Sequence, residues 1–399
     1  MQKGFSFFLF CPRFGLIFHL YQASRKSKIK KKAVNEMKNA KKRDTVLIFS
    51  AGALLLWGAF SLLLFPAPHL SERENRLLAE CPRFSVAGFF DGSFTSNAER
   101  YAAERVAGRH LMRNIHAKCE LLLGKCETDK VLLCRDGSLA KQAQTNERLY
   151  QKNLSAIQGL QKTARRIAAL PLTVAIAPRR IEARKDALPH LFMPDESDRR
   201  TLEQYVPDAK FLTITQDREW YRTDHHWSTA GAYAAYVALG ASLGFTPYAE
   251  QEFEKETVHT GFRGTSDAAA GLSDTLPDRI ELWRYEGDEA FRLKKDGKDA
   301  PFQGFYDADK LNTRDGYAVF LGGNDGICEI TEGENDTRPT LLLIKDSFAN
   351  SVIPFLARHY RILAVDPRYT KADLSPFFAK ADQALLLMGL QTLAELTVF

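Results

Sequence analysis

The sequence contains few cysteines, and their spacing argues against the common structural zinc sites. Only six cysteines occur among 399 residues, and no two of them have the C-x-x-C spacing of a zinc knuckle. Five of the six lie beyond residue 65, so at least one of these five is unpaired or pairs between chains. Cys119, Cys126 and Cys134 are near one another in sequence, but sequence alone does not assign a disulfide among them.

A surplus of charge of one sign is also lacking over most of the chain. The formal net charge of +6 arises from ten basic residues between Arg25 and Arg43, and the remainder is slightly acidic. We therefore expect no nucleic-acid-binding surface. Hydrophobic and charged contents of 45% and 26% are typical of a globular protein with a core. Internal repeats and low-complexity segments are absent from the sequence.

One long apolar run is present, over residues 45–65, and it carries no charge. Its length suffices to cross a hydrocarbon core of ~30 Å. The apolar region of a cleaved signal peptide is usually shorter, ~7–15 residues, so an uncleaved anchor is favoured. Basic residues precede the run, which predicts that the N-terminal side stays in the cytoplasm. We expect a basic cytoplasmic segment over 1–44, a transmembrane anchor over 45–65 and an external domain over 66–399.

The first twenty residues are apolar but are interrupted by Pro12 and Arg13. They could form a re-entrant or interfacial segment. We favour the simpler interpretation that the natural chain starts at Met37, which leaves a short basic flank before the anchor.

Apolar runs and helical patterns alternate in the C-terminal part. The runs over 171–178, 339–344, 362–366 and 384–388 predict buried strands, and 349–360 and 371–380 predict helices between the last three. This alternation predicts an α/β fold with a mainly parallel, three-layer sheet. Further predicted elements are a hairpin over 130–139, helices over 97–123, 146–170 and 229–243, a strand over 209–214 and a weaker strand over 316–326.

The densest polar cluster is Asp224-His225-His226-Trp227, directly before a helix whose N-cap is Ser228 or Thr229. Turns beside rigid elements often carry catalytic groups. If the turn is extended, Asp224 and His226 project to the same side, since they are two residues apart. One of them can then orient the other while His225 points away.

Ser347 follows a buried strand and precedes a helix. Ligands of open α/β sheets bind outside the carboxyl ends of the strands, which is this position. A serine hydroxyl needs a base to become a nucleophile. His226 is the candidate base, with Asp224 fixing its tautomer, so the three form a candidate triad. The Ser347 backbone N–H and the Asn324 side chain are candidate oxyanion donors.

Each assignment has an alternative. Ser347 could serve only as a helix N-cap, and the glycine-rich segment 322–326 could be only a turn. Asp224, His225 and His226 could bind Zn²⁺ or Mn²⁺, although adjacent histidines seldom ligate one ion comfortably. Nearby aromatic residues could line a sugar-binding cleft or pack against the sheet; these are Trp220, Tyr221, Trp227 and Tyr233.

These segments together resemble the DHHW protein family, over most of residues 71–399. That family is similar to the alginate O-acetylation proteins, whose domain is a variant of the SGNH hydrolases. The order of histidine, GGND and serine here differs from the usual SGNH order. The segments that carry the resemblance are SERENR at 71–76, TDHHW at 223–227, GAY at 231–233, FRGT at 262–265, KDSFAN at 345–350 and DPRY at 366–369. In addition, GGND at 322–325 resembles the GxND block of SGNH hydrolases.

The resemblance implies a three-layer SGNH-hydrolase-like domain and a catalytic triad of Ser347, His226 and Asp224. It implies acyl-ester chemistry without a cofactor, and we expect no metal. Contacts to the oxyanion or substrate are expected from Asn324, Gly323, His225 and Trp227.

We therefore expect a membrane-anchored, extracytoplasmic acyltransferase or esterase that acts in O-acetylation of a cell-surface or exported polysaccharide. A membrane-bound O-acyltransferase that moves acyl groups across the bilayer is the expected partner. The alternative is a non-catalytic carbohydrate-binding or assembly protein of the cell envelope.

The basic residues before the apolar run predict that a C-terminal alkaline phosphatase fusion is active in cells, because the positive side of an anchor stays in the cytoplasm. A reporter that needs the cytoplasm should be silent at the same position. The opposite pattern would overturn the predicted orientation.

Overall fold

The computed structural model describes residues 39–62, 70–71, 76–272, 274–333 and 335–399. The expectations for the first 38 residues, including a start at Met37, lie outside the described residues. The chain divides into two compact units: one comprises Met1–Pro68 and Ala79–Arg109, and the other His69–Leu78 and His110–Phe399.

Five of the described helices have 13 residues or more, and the others are shorter. The described helices are α1 (Asn39–Leu62), α2 (Val86–Phe90), α3 (Ser93–Arg105), α4 (Arg109–Leu122), α5 (Glu147–Ala168), α6 (Arg180–Ala183), α7 (Ser197–Tyr205), α8 (Thr229–Leu243), α9 (Thr265–Ala270), α10 (Ile353–Leu356), α11 (Ser375–Phe378) and α12 (Leu390–Glu395).

The strands fall into one large sheet and three small ones. The described strands are β1 (Leu70–Ser71), β2 (Arg76–Leu77), β3 (Glu127–Thr128), β4 (Val131–Leu133), β5 (Leu139–Lys141), β6 (Leu172–Ala177), β7 (Lys210–Phe211), β8 (Glu254–Phe262), β9 (Asp278–Arg284), β10 (Phe291–Lys295), β11 (Lys298–Asp299), β12 (Ile327–Glu332), β13 (Thr340–Lys345), β14 (Arg361–Val365) and β15 (Gln383–Gly389).

Helix α1 has 24 residues and is predominantly apolar. By length and composition it is able to cross a membrane, as the apolar run predicts, although the last three residues of that run lie outside the described residues. Within the same unit the Ala107 N–H donates a hydrogen bond of 3.2 Å to Ser61 Oγ near the end of α1.

The second unit contains an eight-stranded sheet in the order β11-β10-β12-β14-β13-β15-β6-β7. Strands β14, β13, β15, β6 and β7 run parallel, whereas β12, β10 and β11 extend the sheet in antiparallel pairing. The predicted α/β class and mainly parallel sheet are confirmed. Strand β13 lies between β14 and β15, with Leu343 paired to both Ala364 and Leu385. The chain after β13 therefore emerges at the carboxyl edge of the parallel strands, where ligands of such sheets bind.

Alternate residues of β13 face two different helical layers, because successive strand side chains point to opposite faces. Leu342 and Ile344 pack in one apolar cluster with α5, and Leu341 and Leu343 pack in another with α8. Helix α5 contributes an apolar stripe that includes Leu154. The predicted three-layer arrangement is confirmed.

Two local predictions are wrong. The weaker strand expected over 316–326 is a 3₁₀ turn, Gly316–Val319, followed by a tight turn. Leu321, Gly322 and Gly323 all have positive φ, which a strand does not permit. The helix expected over 349–360 is broken into a 3₁₀ turn, Ser347–Ser351, and the short α10. Pro354 lies at the start of α10, where its missing N–H is tolerated.

Strands β8 and β9 were missed. They form a two-stranded antiparallel sheet, but most of β8 is exposed and its side chains are mainly polar, so it lacks the alternation that indicates a strand. The five described cysteines are unpaired, so no disulfide joins Cys119, Cys126 and Cys134.

Candidate active site

The segment 221–227, called the DHHW turn below, is closed by a backbone bridge and is followed directly by the capped helix α8. Trp220 and Trp227 form an isolated antiparallel bridge, so residues 221–226 form the connecting loop. Ser228 caps α8 by accepting a hydrogen bond from Gly231 N at 3.4 Å, which confirms that prediction. A Cβ at Gly231 would overlap the Glu219 carbonyl oxygen. The glycine therefore allows α8 to start directly against the bridge.

Asp224 is a buried carboxylate with three N–H donors. Its Oδ1 lies 2.9 Å from His226 N and 2.6 Å from His226 Nδ1, and its Oδ2 accepts a 2.6 Å hydrogen bond from Thr265 N at the start of α9. Burial alone would raise the pKa of Asp224. Neighbouring His225 and His226, together with the hydrogen bonds from His226 and Thr265, instead hold the pKa well below its ordinary value. The group is therefore an anion that can only accept.

His226 joins this carboxylate to Ser347. Because Asp224 can only accept, Nδ1 of His226 carries the proton. Its Nε2 is then the acceptor for the Ser347 hydroxyl, whose Oγ is 2.8 Å away. The structure thus brings together the three residues of the predicted triad, although 121 residues separate the histidine and the serine.

Ser347 is free to make this contact because its neighbour provides the helix cap. The Asp346 Oδ1 accepts from Phe348 N at 2.9 Å, and its Oδ2 accepts from Gly389 N at 2.8 Å on β15. Asp346 therefore serves as the N-cap of the 3₁₀ turn. The alternative in which Ser347 itself is the cap is not what the structure shows.

His225 does not point away from His226, contrary to expectation. Its ring centroid is 3.8 Å from that of His226, and its Nδ1 lies 2.6 Å from Thr265 Oγ1. Burial, together with repulsion from a protonated His226, holds the pKa of His225 well below its ordinary value. His225 is therefore a neutral ring packed beside the His226 imidazole.

The hydrogen bonds of Asp224 and His226 bear on whether this cluster binds a metal ion. Ligand atoms of Asp224, His225 and His226 lie within 4.8 Å of one another. Both oxygens of Asp224 and both ring nitrogens of His226 already have hydrogen-bonding partners in the protein. A shared ion would have to displace the Ser347 or Thr265 contacts and remove the Nδ1 proton. The donor set fits a proton relay better than a metal centre.

A second polar cluster lies at the carboxyl end of β13. The Lys345 Nζ, which can only donate, is 2.6 Å from Asn350 Oδ1 and 3.5 Å from Asn324 Oδ1. The Asn350 Nδ2 donates to Asn324 Oδ1 at 3.0 Å and to the Gly323 carbonyl at 3.5 Å. These bonds hold the oxygen end of the Asn324 side chain and leave its amino group as the donor end. Its role toward an oxyanion stays a prediction.

Trp227 packs beneath the turn that carries Ser347 and is hydrogen-bonded to it. It is fully buried, and its Nε1–H donates to the Phe348 carbonyl at 3.1 Å and to Ser351 Oγ at 3.0 Å. This position braces the turn that carries Ser347 and gives Trp227 no surface toward a substrate. Trp220 and Tyr221 are likewise buried and pack as core.

Sequence reasoning missed Tyr317. The residue lies in the 3₁₀ turn Gly316–Val319, and its ring stacks on that of His226 with centroids 3.9 Å apart. Its segment carries no periodic pattern, so no signal in the sequence placed it at the site.

Comparison with known proteins agrees with the fold and the motifs. Residues 178–365 match the DHHW protein family, which confirms the predicted resemblance. A DHHW family protein from Eubacterium siraeum has a TM-score of 0.52 at 18% identity, covering 67% of this chain and 93% of that one. PatB1 from Bacillus cereus has a TM-score of 0.53 at 17% identity, covering 67% and 98%.

PatB1 has also been solved with a sulfonyl adduct, at a TM-score of 0.52 and 17% identity, covering 67% and 97%. The O-acetyltransferase domain of Pseudomonas putida AlgJ is more distant, with a TM-score of 0.40 at 17% identity, covering 66% and 92%. The chain has no match among curated protein sequences.

Gly264 allows Asp224 to sit beside α9, because a Cβ at Gly264 would overlap its carboxyl group. We expect Gly264→Ala to lower the free energy of unfolding by about 1–3 kcal/mol, since a buried and hydrogen-bonded side chain must move. The backbone φ of −88° at this position is compatible with alanine, so the effect is a clash. Thermal unfolding of the full chain measures it.

Gly261→Ala is the matched control, because its Cβ would meet nothing closer than His259 Nε2 at 3.6 Å. Equal stability of the two variants would contradict the tight packing inferred around Asp224.

Proposed function

We propose that this protein, whose residues 178–365 match the DHHW protein family, is an SGNH-like acyltransferase or esterase with Ser347 as its nucleophile. One observation carries the proposal: the hydrogen-bonded path from Asp224 through His226 to Ser347. Its two steps measure 2.6 Å from Asp224 Oδ1 to His226 Nδ1 and 2.8 Å from His226 Nε2 to Ser347 Oγ. A carboxylate, imidazole and hydroxyl in this order generate an activated serine on several unrelated folds.

In the first half of the reaction, Ser347 Oγ attacks the carbonyl carbon of an acyl ester. The hydroxyl proton moves to Nε2 of His226 as the new C–O bond forms. Asp224 stabilises the resulting imidazolium. When the tetrahedral intermediate collapses, the bond to the leaving alcohol breaks and Nε2 returns the proton to the leaving oxygen. The acyl group then remains on Ser347 as an ester.

In the second half, a hydroxyl group attacks the acyl-enzyme. His226 takes the proton of the incoming hydroxyl and passes it to Ser347 Oγ as that bond breaks. A sugar hydroxyl gives transfer, and water gives hydrolysis. The Ser347 N–H and the amino group of Asn324 are the donors we propose for the oxyanion, because the Asn324 oxygen already accepts from Asn350.

We further propose that α1 anchors the protein in the cytoplasmic membrane and that the domain acts outside it. The apolar character of α1 and the basic residues before it support this placement. The proposed acceptor is a cell-surface or exported polysaccharide, by the resemblance to alginate O-acetylation proteins. A membrane-bound O-acyltransferase is the proposed source of acyl groups at the outer face.

The test uses the full chain in detergent with p-nitrophenyl acetate as acyl donor and a sulfonyl fluoride or fluorophosphonate as serine label. Ser347→Ala should abolish labelling and lower turnover by at least ~10³-fold, because no other group can carry the acyl ester. His226→Ala should cost a similar factor, and the double variant should be hardly worse than either single one. Asp224→Asn should cost less, since some imidazole still adopts the correct orientation.

Ser155→Ala is the control, because Ser155 Oγ lies on the exposed face of α5 and bonds only its own helix. It should leave labelling and turnover unchanged. Full turnover by Ser347→Ala, or loss of wild-type turnover on addition of a chelator, would contradict the proposed triad. Absence of both labelling and turnover in the folded wild type would favour the non-catalytic carbohydrate-binding alternative.

A further inference from the structure

Tyr317 contacts the catalytic histidine over its whole ring. The two ring planes are 5° apart, and the centroids are separated by 3.9 Å. The Tyr317 side chain is almost fully buried, with Tyr221 against it at 6.2 Å in an edge contact. An aromatic face at this distance from an imidazole lies where it interacts with any positive charge on that ring.

The Tyr317 hydroxyl contacts the nucleophile residue as well. It donates to the Ser347 carbonyl at 3.1 Å, and it lies 3.0 Å from Ser351 Oγ. The directions of these bonds follow from the groups involved, because a carbonyl can only accept and an indole N–H can only donate. Protons therefore point from Trp227 Nε1 to Ser351 Oγ, from Ser351 to Tyr317, and from Tyr317 to the Ser347 carbonyl.

We propose that Tyr317 is a positioning residue with two separable parts, on the premise of the proposed acyl-transfer function. Its ring stabilises the imidazolium of His226 that forms when Ser347 gives up its proton. Its hydroxyl holds the main chain of Ser347 so that Oγ stays in line with Nε2.

The ring acts on the transition state more than on the resting enzyme. A neutral imidazole gains little electrostatic energy from an aromatic face, whereas an imidazolium is attracted to it, and more strongly in a desolvated site than in an exposed one. Only interactions that strengthen in the transition state accelerate the chemical step. His225, on the same imidazole, is held neutral by burial, which lowers its pKa, so it does not oppose the developing charge.

The hydroxyl keeps its function across the working pH range. Burial raises the pKa of Tyr317 well above its ordinary value, so the phenol stays protonated and continues to donate. Ser351, the second hydrogen-bonding partner of the Tyr317 hydroxyl, is also buried. Water therefore does not compete for the bond from Tyr317 to the Ser347 carbonyl.

Two substitutions separate the parts. Tyr317→Phe keeps the aromatic face and removes the hydroxyl, and Tyr317→Leu removes both. A 15N-histidine NMR titration of the full chain, with His226 assigned by a His226→Gln variant, reports the protonation midpoint of its ring without any turnover. We expect Tyr317→Leu to move this midpoint down by about 0.5–1 unit, and the acid limb of the pH–labelling profile to move with it. Tyr317→Phe should leave the midpoint in place and slow fluorophosphonate labelling by about 2–10-fold.

Tyr360→Phe and Tyr360→Leu are matched controls. Tyr360 is also buried and donates to a carbonyl, that of Leu243 at 2.6 Å, but it makes no contact with the triad among the described hydrogen bonds and ring contacts. Both should leave the His226 midpoint and the labelling rate unchanged. Thermal unfolding of every variant shows that it is folded, and Tyr317→Met replaces Tyr317→Leu if the smaller side chain prevents folding.

A His226 midpoint that is the same in Tyr317→Leu or Tyr317→Met as in the wild type would overturn the role of the ring. A labelling rate unchanged in Tyr317→Phe would overturn the role of the hydroxyl. These outcomes are distinct from failure of the proposed function, which would appear as absence of labelling in the wild type itself.

Discussion

The buried carboxylate of Asp224 is the interaction on which the site depends. An ionised group away from water is costly unless it is fully hydrogen-bonded, and here the main chain of two separate segments supplies the donors. The N–H groups of His226 and Thr265 reach both oxygens, so the DHHW turn and α9 must pack together for the charge to be tolerated. The same carboxylate sets the His226 tautomer. The packing that buries Asp224 therefore both folds the DHHW turn and orients His226.

The second constraint is the position of β13 in the middle of the sheet. Because β14 and β15 flank β13 and run parallel to it, the turn after β13 lies at the carboxyl edge of the parallel strands. Asp346 joins that turn to the adjacent β15, because its Oδ2 accepts a hydrogen bond from Gly389 N. The Trp227 Nε1–H donates to the Phe348 carbonyl and so joins the same turn to the DHHW turn. Ser347 and His226 therefore share one rigid support, although they come from distant parts of the chain.

A cluster of buried polar side chains lies beside the turn that carries Ser347. Lys345, which is buried and has its pKa lowered by that burial, is held by Asn350 and lies 3.9 Å from Asp366. Such networks orient their members only when each donor finds an acceptor. The orientation of Asn324 follows from this arrangement. The resemblance motifs KDSFAN and DPRY thus contribute their lysine, asparagine and aspartate to one cluster beside Ser347.

Local signals in the sequence determined much of this protein. Apolar runs predicted β6 and the strands around Ser347, and a cap at Ser228 or Thr229 predicted the start of α8. The residue types of Asp224, His226 and Ser347, with their positions beside regular elements, predicted that they act together.

Only the tertiary structure decided which side chains complete the site. Tyr317 and Thr265 lie in short segments without periodicity, and the position of His225 depends on Thr265, which is 40 residues away. Strand β8 and the turn at Leu321–Gly323 were equally hidden, because β8 is mostly exposed and the positive φ of Leu321 is uncommon for a residue other than glycine. Sequence patterns report which face of an element is buried. They do not report which distant residue covers it, because that depends on how the strands are ordered in the sheet.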